Sequence, residues 1–159
     1  NLTDETIQIT RKISQELRPS ILDDLGLISA LEWLQEQYRK RSNLQFSLEI
    51  PKKDFNINAE NATAIFRITQ EALTNIMRHA KATKVAVNLH VENSNILLNI
   101  QDDGKGLPIN KSKQPEKTFG IFGMKERASI LGGKLEIVSA PKEGTSIIVE
   151  FPLHANIKE

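Results

Sequence analysis

The chain has 159 residues, 39% of them hydrophobic and 26% charged, the make-up of a soluble globular protein with one main domain and a real core. Its formal net charge of +1 sets up no single-signed field to draw in nucleic acid or an anionic membrane, so direct nucleic-acid binding is not expected and any anion must be held locally. The lack of cysteine excludes disulfides and thiolate metal sites, no run approaches the ~20 apolar residues of a membrane helix, and no signal-peptide pattern opens the chain.

Residues 3–18 read as a helix, with Thr3 as cap, Glu5 and Thr6 in the first turn, an apolar stripe of Ile9, Ile13 and Leu17, and Pro19 as the stop. A second helix follows with Leu27, Leu31 and Leu34 at helical spacing, Ser29 at an exposed position, and its end expected by Ser42 and Asn43. LQFSLEI then alternates Leu44, Phe46, Leu48 and Ile50 with polar residues, the period-2 mark of a half-buried strand. From about Asn58 to Ala80, Ile65, Ile68, Ala72, Ile76 and Ala80 recur at steps of three and four, which predicts one long helix. VAVNLHV and ILLNIQDD flank the turn ENSN as a β-hairpin. Residues 104–119, rich in Gly, Lys, Pro and Ser, read as a long loop of the kind used as a lid. Residues 120–131 predict a short helix stopped by Gly132 and Gly133, followed by a strand pair, KLEIVSA and TSIIVEFPL, around PKEG. The fold class is α/β: a two-layer sandwich of about five strands in one mixed sheet with helices on one face.

Strand parity points to chemistry. Ile96, Leu98 and Ile100 share a face, and the next residue of that parity is Asp102, a carboxylate aimed at the core side that needs a protein donor or a ligand. Asp103 has the opposite parity and should be solvated. Thr145 falls in with Ile147, Val149 and Phe151, so its hydroxyl also points inward. A carboxylate and a hydroxyl side by side suit an adenine edge, which offers an amine beside a ring nitrogen, whereas guanine would set a carbonyl against Asp102.

Gly104 and Gly106 can supply positive φ and a close approach to a planar ligand, though a plain glycine turn would look the same. Gly120 and Gly123 open the predicted helix GIFGMKER, whose N–H groups could face an anion. In EALTNIMRHA, Glu71, Asn75 and Arg78 fall in one narrow sector opposite the core stripe. That sector is either an exposed face with a Glu71–Arg78 ion pair or a working one. In the second case Asn75 offers an oxygen to Mg²⁺, Arg78 neutralises phosphate and Glu71 serves as a base.

The order EALTNIMRHA, DDGKG, GIFGMKER and EGTS resembles the N box and glycine boxes of the GHKL ATP-binding superfamily, and LRPSILDDLGLISALEWL resembles the segment after the dimerisation hairpin in NarL-type sensor histidine kinases. Between them the matches cover nearly the whole chain. The resemblance implies the Bergerat sandwich and an ATP site with Mg²⁺. In it Asn75 and Glu71 serve the metal, Arg78 and His79 the phosphate side, and Asp102 the adenine with help from Thr145, directly or through water. Gly104, Gly106, Gly120 and Gly123 bracket the nucleotide and the lid. Arg78 stands where the superfamily often has Lys, and Ile121 where it has Leu.

The resemblance also implies a division into a dimerisation-hairpin remnant at 1–18, a connecting segment and helix at 19–43, the catalytic domain at 44–154 and a tail at 155–159. His79 belongs to the N box, His90 faces solvent by parity and His154 lies in the tail, so the acceptor histidine is expected upstream of Asn1. Such a fragment should bind ATP without autophosphorylating. The expected partners are its own upstream hairpin, a second copy in the full-length homodimer, and a response regulator of NarL/LuxR type. The domain would be cytoplasmic, with an inner- or plasma-membrane anchor of the full-length protein left open. Other readings are a serine kinase of the anti-sigma-factor type, which leaves residues 3–43 without a role, a non-catalytic ATP-binding adaptor, and a gyrase- or MutL-like ATPase, for which no transducer domain follows.

Overall fold

The computed structural model describes residues 19–53, 55–107 and 115–153, with the backbone alone over 115–119. The helix expected at 3–18, the loop residues 108–114, His154 and the tail lie outside the described residues. The elements run α1 (Ser20–Lys40), β1 (Gln45–Glu49), α2 (Ala59–Asn75) with a π-turn at Ile76–Ala80, β2 (Lys84–Glu92), β3 (Asn95–Asp102), α3 (Pro115–Ile130), β4 (Lys134–Ser139) and β5 (Thr145–Pro152). One five-stranded sheet has the order β1-β2-β3-β5-β4, with β1 and β2 parallel and every other pair antiparallel.

Alternation along the strands decides which face is buried. Val85, Val87 and Leu89 of β2, Ile96, Leu98 and Ile100 of β3, and Ile147, Val149 and Phe151 of β5 are buried beneath the helices. Leu44, Phe46, Leu48 and Ile50 are half-buried and alternate with exposed Gln45, Ser47 and Glu49, as predicted. Hairpin β2–β3 closes through Asn93 and Ser94, whose φ of 50° and 62° give the left-handed pair that matches strand twist.

Helix α2 is the middle helix. Its predicted stripe of Ile65, Ile68, Ala72 and Ile76 meets the sheet, while Phe66, Thr69 and Leu73 are buried as well, because α1 and α3 flank it. The Asn58 side chain caps it by accepting the Asn61 N–H at 2.7 Å. On the α1 side, the Tyr38 hydroxyl pairs with Thr74 Oγ1 at 2.7 Å. Leu27, Leu31 and Leu34 of α1 enter the same core, and Ser29 is half-buried rather than exposed because the helix lies flat on α2. Gly26 (φ 76°, ψ 174°) interrupts α1, so its first turns and its long second part point differently.

Two expectations about helices change. The last five residues of the predicted long helix, Ile76–Ala80, form a π-turn that ends in left-handed Lys81. The helix read as starting at Gly120 starts at Pro115, so 115–119 belong to it and not to the loop. Proline suits a first helical position, where its missing N–H would have no intrahelical partner anyway. At the other end, Gly133 N–H reaches Ala128 O at 2.9 Å and Gly132 N–H reaches Ser129 O at 3.0 Å, the paired bonds of a Schellman stop.

Candidate functional site

A concavity lies where the end of α2 and its π-turn, α3, and one end of the sheet converge; its empty volume, including the part open to solvent, is about 540 Å³. Its apolar walls come from Ile76 of the π-turn, Ile121 and Met124 of α3, and Ile100, Ile147 and Ile137 of the sheet. Asn75, His79, Asp102 and Thr145 add polar groups, and Gly106 and Leu107 form a strap over one side. A mostly apolar slot with a few convergent polar groups is the usual form of a small-molecule site.

Asp102 sits where parity predicts. Its residue is only 5% exposed, and Oδ1 accepts the Gly104 N–H at 2.7 Å. Thr145 stands directly opposite it across the β3–β5 pair and lines the same pocket. Gly106 has φ of 72°, and a Cβ there would collide with Ala140 O, so both the conformation and the space demand glycine. Gly104 differs from expectation: it is not left-handed, and its constraint is its approach to Ala80 O and the Asp102 carboxylate.

The π-turn rearranges the polar stripe. Widening the turn to i→i+5 shifts the alignment with Asn75 away from the third residue onward and toward the fourth and fifth, so His79 and Ala80 join Asn75 in the pocket lining. Arg78 is exposed and lies outside that lining. The single sector expected for Glu71, Asn75 and Arg78 is therefore split, and no ion pair joins Glu71 to Arg78 among the described residues. Glu71 is half-buried, and its Oε1 occupies the place a Cβ of residue 120 would take, with the Asn75 amide nearby. Gly120 and Gly123 thus stand inside α3 and not at its N-terminus: Gly120 leaves room for Glu71, and Gly123 faces open space.

Asp103 is exposed, as its parity predicts, yet it is not idle. Its Oδ2 accepts the Thr83 hydroxyl at 2.5 Å, and its Oδ1 accepts the Thr83 N–H at 2.7 Å and the Lys84 N–H at 2.8 Å. The Thr83 hydroxyl first, and then the Lys84 amide, stabilise the carboxylate and bring its pKa down to about 2. Beside this clasp, Lys105 N–H donates to Ala80 O at 2.8 Å. The end of the π-turn and the DDGKG loop, which carry opposite sides of the pocket, are thereby locked together.

Three contributors escape a motif-level reading. Ser139 shares the inward parity of Leu135 and Ile137 on β4, and its Oγ meets Leu107, Gly144 and Thr145. Parity alone would have singled it out. Gly144 belongs to the quoted EGTS, but its demand is visible only in three dimensions: φ is 76°, and a Cβ would strike Asp102 O. The apolar floor of Ile100 and Ile147 reads in the sequence as ordinary core.

The Asn75 amide and the Glu71 carboxylate both stand at the Gly120 wall, with Asn75 Nδ2 on the side toward it, and each side chain carries an oxygen of the kind a hard cation takes. No group of three or more Asp, Glu or His among the described residues could hold a metal by itself. Two protein oxygens at most suit Mg²⁺, which keeps waters and takes further ligands from substrate phosphates. No helix among the described residues is long and apolar enough to cross a membrane.

Residues 60–155 match the family described as "Histidine kinase-, DNA gyrase B-, and HSP90-like ATPase". The chain is 38% identical over 143 residues to the sensor histidine kinase LiaS of Bacillus subtilis, covering 90% of this chain and 39% of LiaS. It is 35% identical over 143 residues to the signal transduction histidine-protein kinase/phosphatase DegS of Brevibacillus brevis, covering 90% of this chain and 36% of DegS. It therefore spans well under half the length of these relatives. Among solved structures, the Acinetobacter baumannii histidine kinase AdeS superposes with a TM-score of 0.69 over 97% of this chain and 83% of that one, at 13% identity. The Erythrobacter litoralis EL346 blue-light activated histidine kinase gives 0.66 over 77% of this chain and 40% of that one, at 21% identity. Both share the α/β fold described above.

Proposed function

The chain belongs to the histidine kinase-, DNA gyrase B-, and HSP90-like ATPase family, and from that premise we propose that its pocket binds Mg-ATP as the catalytic domain of a sensor histidine kinase. The observation that carries the reading is Asp102: a carboxylate 5% exposed, in the lining of an apolar slot, beside an inward hydroxyl. An apolar floor of Ile100 and Ile147 takes a flat ring, and acceptors at its edge select a ring that carries an amine.

With the base seated there, the phosphates run toward Asn75 and His79, and Mg²⁺ bound by the Asn75 amide oxygen together with those phosphates neutralises charge during phosphoryl transfer. Glu71, held at the Gly120 wall, orients or deprotonates the attacking group. Arg78, exposed at the pocket's margin, meets phosphate from outside; an Arg there presents a planar fork where Lys would present a point charge. Gly104, Gly106, Gly120 and Gly123 border the nucleotide and its covering loop.

In the whole protein the γ-phosphoryl would pass to a histidine on a helical hairpin upstream of Asn1 and then to an aspartate of a response regulator of NarL/LuxR type. Residues 44–154 would be the catalytic domain, residues 19–43 the connection and residues 1–18 the last part of the hairpin of a homodimer. The domain would work in the cytoplasm whether or not the full-length protein is anchored.

Calorimetric titration with ATP and GTP, each with and without Mg²⁺, tests the site. Expected is ATP binding in the micromolar range, about −8 kcal/mol, strengthened by Mg²⁺, with GTP silent and with Asp102→Ala abolishing the preference. Equal ATP affinity in Asp102→Ala and the parent would overturn the assignment.

A further inference from the structure

The hydrogen bonds that meet at Ser139 fix the direction of the Thr145 hydroxyl proton. The Leu107 N–H donates to Ser139 Oγ at 2.8 Å. Ser139 Oγ lies 2.9 Å from Gly144 O, and a carbonyl only accepts, so the Ser139 proton is in that bond. Ser139 Oγ is also 2.9 Å from Thr145 Oγ1. A hydroxyl has one proton, and that of Ser139 is already committed, so Thr145 must be the donor in this last contact. Both lone pairs of Ser139 are then filled, by Leu107 and by Thr145. Thr145 is left with its proton turned toward β4 and only lone pairs for the pocket.

Resting on the reading of the pocket as an ATP site, we infer that Ser139 is a specificity-determining residue: it makes Thr145 an obligatory acceptor beside the Asp102 carboxylate. Without Ser139 a threonine hydroxyl could rotate to donate to a carbonyl as readily as it accepts from an amine. With Ser139 in place, the wall formed by Asp102 and Thr145, paired across β3 and β5, presents acceptors at neighbouring positions. An exocyclic amino group, with two N–H bonds to give, is matched by both acceptors, and an oxo group in its place meets lone pairs from both. Ser139 does not touch the base; it acts through Thr145.

The test compares ATP with inosine triphosphate, in which an oxo group replaces the 6-amino group opposite Thr145 and the adjacent N1 gains a proton, by calorimetric titration of the whole chain. Ser139→Ala is expected to lower the ratio of ATP to inosine triphosphate affinity about tenfold, the scale of one misdirected buried hydrogen bond. Ser139→Thr, which keeps the hydroxyl, is expected to retain the parent ratio. Loss of the Leu107 bond loosens the strap for both nucleotides alike and so leaves the ratio alone. Thr145→Val should also lower the ratio, and adding Ser139→Ala to it should change nothing more, because the two act in series. This pair keeps the test available where one single variant folds poorly. An unchanged ratio in Ser139→Ala, or additive effects in the double variant, overturns the inference while ATP binding stands. A parent chain that binds no ATP overturns the underlying reading and this inference with it.

Discussion

The Glu71 carboxylate lies where a Cβ of residue 120 would stand, so the glycine of α3 is the space in which the acid of α2 sits. Two motifs far apart in the chain are thus one feature of the pocket wall. Gly120→Ala separates its stability from its function. The atom a methyl would meet is the end of a flexible side chain, and alanine favours a helix interior over glycine by up to ~1 kcal/mol. Denaturant unfolding should show unchanged or raised stability, while phosphoryl transfer to a supplied hairpin falls because Glu71 is displaced. A large drop in stability with activity intact would contradict this placement.

Asn75→Ala removes an amide oxygen from the proposed phosphate side of the pocket and leaves Asp102 in place. Its ATP affinity in the absence of Mg²⁺ should stay close to that of the parent, and the strengthening by Mg²⁺ should vanish. Titration with and without the cation measures both. A parent-like response to Mg²⁺ would remove Asn75 from the metal site.

Acid should act through Asp103. Its folded-state pKa of about 2 is below that of an unfolded aspartate, so the clasp's contribution is complete above the unfolded value of roughly 4 and is lost as pH falls through the folded one. Unfolding measured from pH 5 to pH 2 should therefore show a decline that is shallower in Asp103→Asn, which cannot bind the proton. Thr83→Val should behave in the same way, since the Thr83 hydroxyl is the main cause of the shift. Identical acid limbs in parent and variants would count against the clasp.

Gly144→Ala tests the tightest packing at the site. The position has φ of 76°, and the new methyl would strike the carbonyl of Asp102, so neither backbone can yield cheaply. Strain at such a site costs about 1–3 kcal/mol, and the thermal midpoint should fall accordingly. ATP affinity should fall with it, because the atoms displaced belong to Asp102, the residue proposed to face the base. A neutral midpoint would mean that the β4–β5 turn relaxes without cost.

The features legible in the sequence are those set by local period. Alternation alone assigns the inward faces of β1, β2, β3 and β5 and aims Asp102 and Thr145 inward, since a strand's side chains switch faces at every residue. The step of three and four likewise marks the stripe of α2, and Gly132 marks the end of α3. Pro115 could have marked the true start of α3, but the Gly, Lys and Ser around it looked like loop. What only the tertiary structure decided depends on which distant segments meet. Strand order placed β5 between β3 and β4, which set Thr145 opposite Asp102 and put Ser139 within reach of both Thr145 and the strap. The π-turn, which brought His79 into the pocket and left Arg78 outside it, frames an Ala80 carbonyl that is bonded to Lys105, a partner no helical period can announce. Periodicity is a property of one segment and its dihedral angles, whereas the direction of a proton, the room for a carboxylate and the pKa of Asp103 belong to contacts between segments.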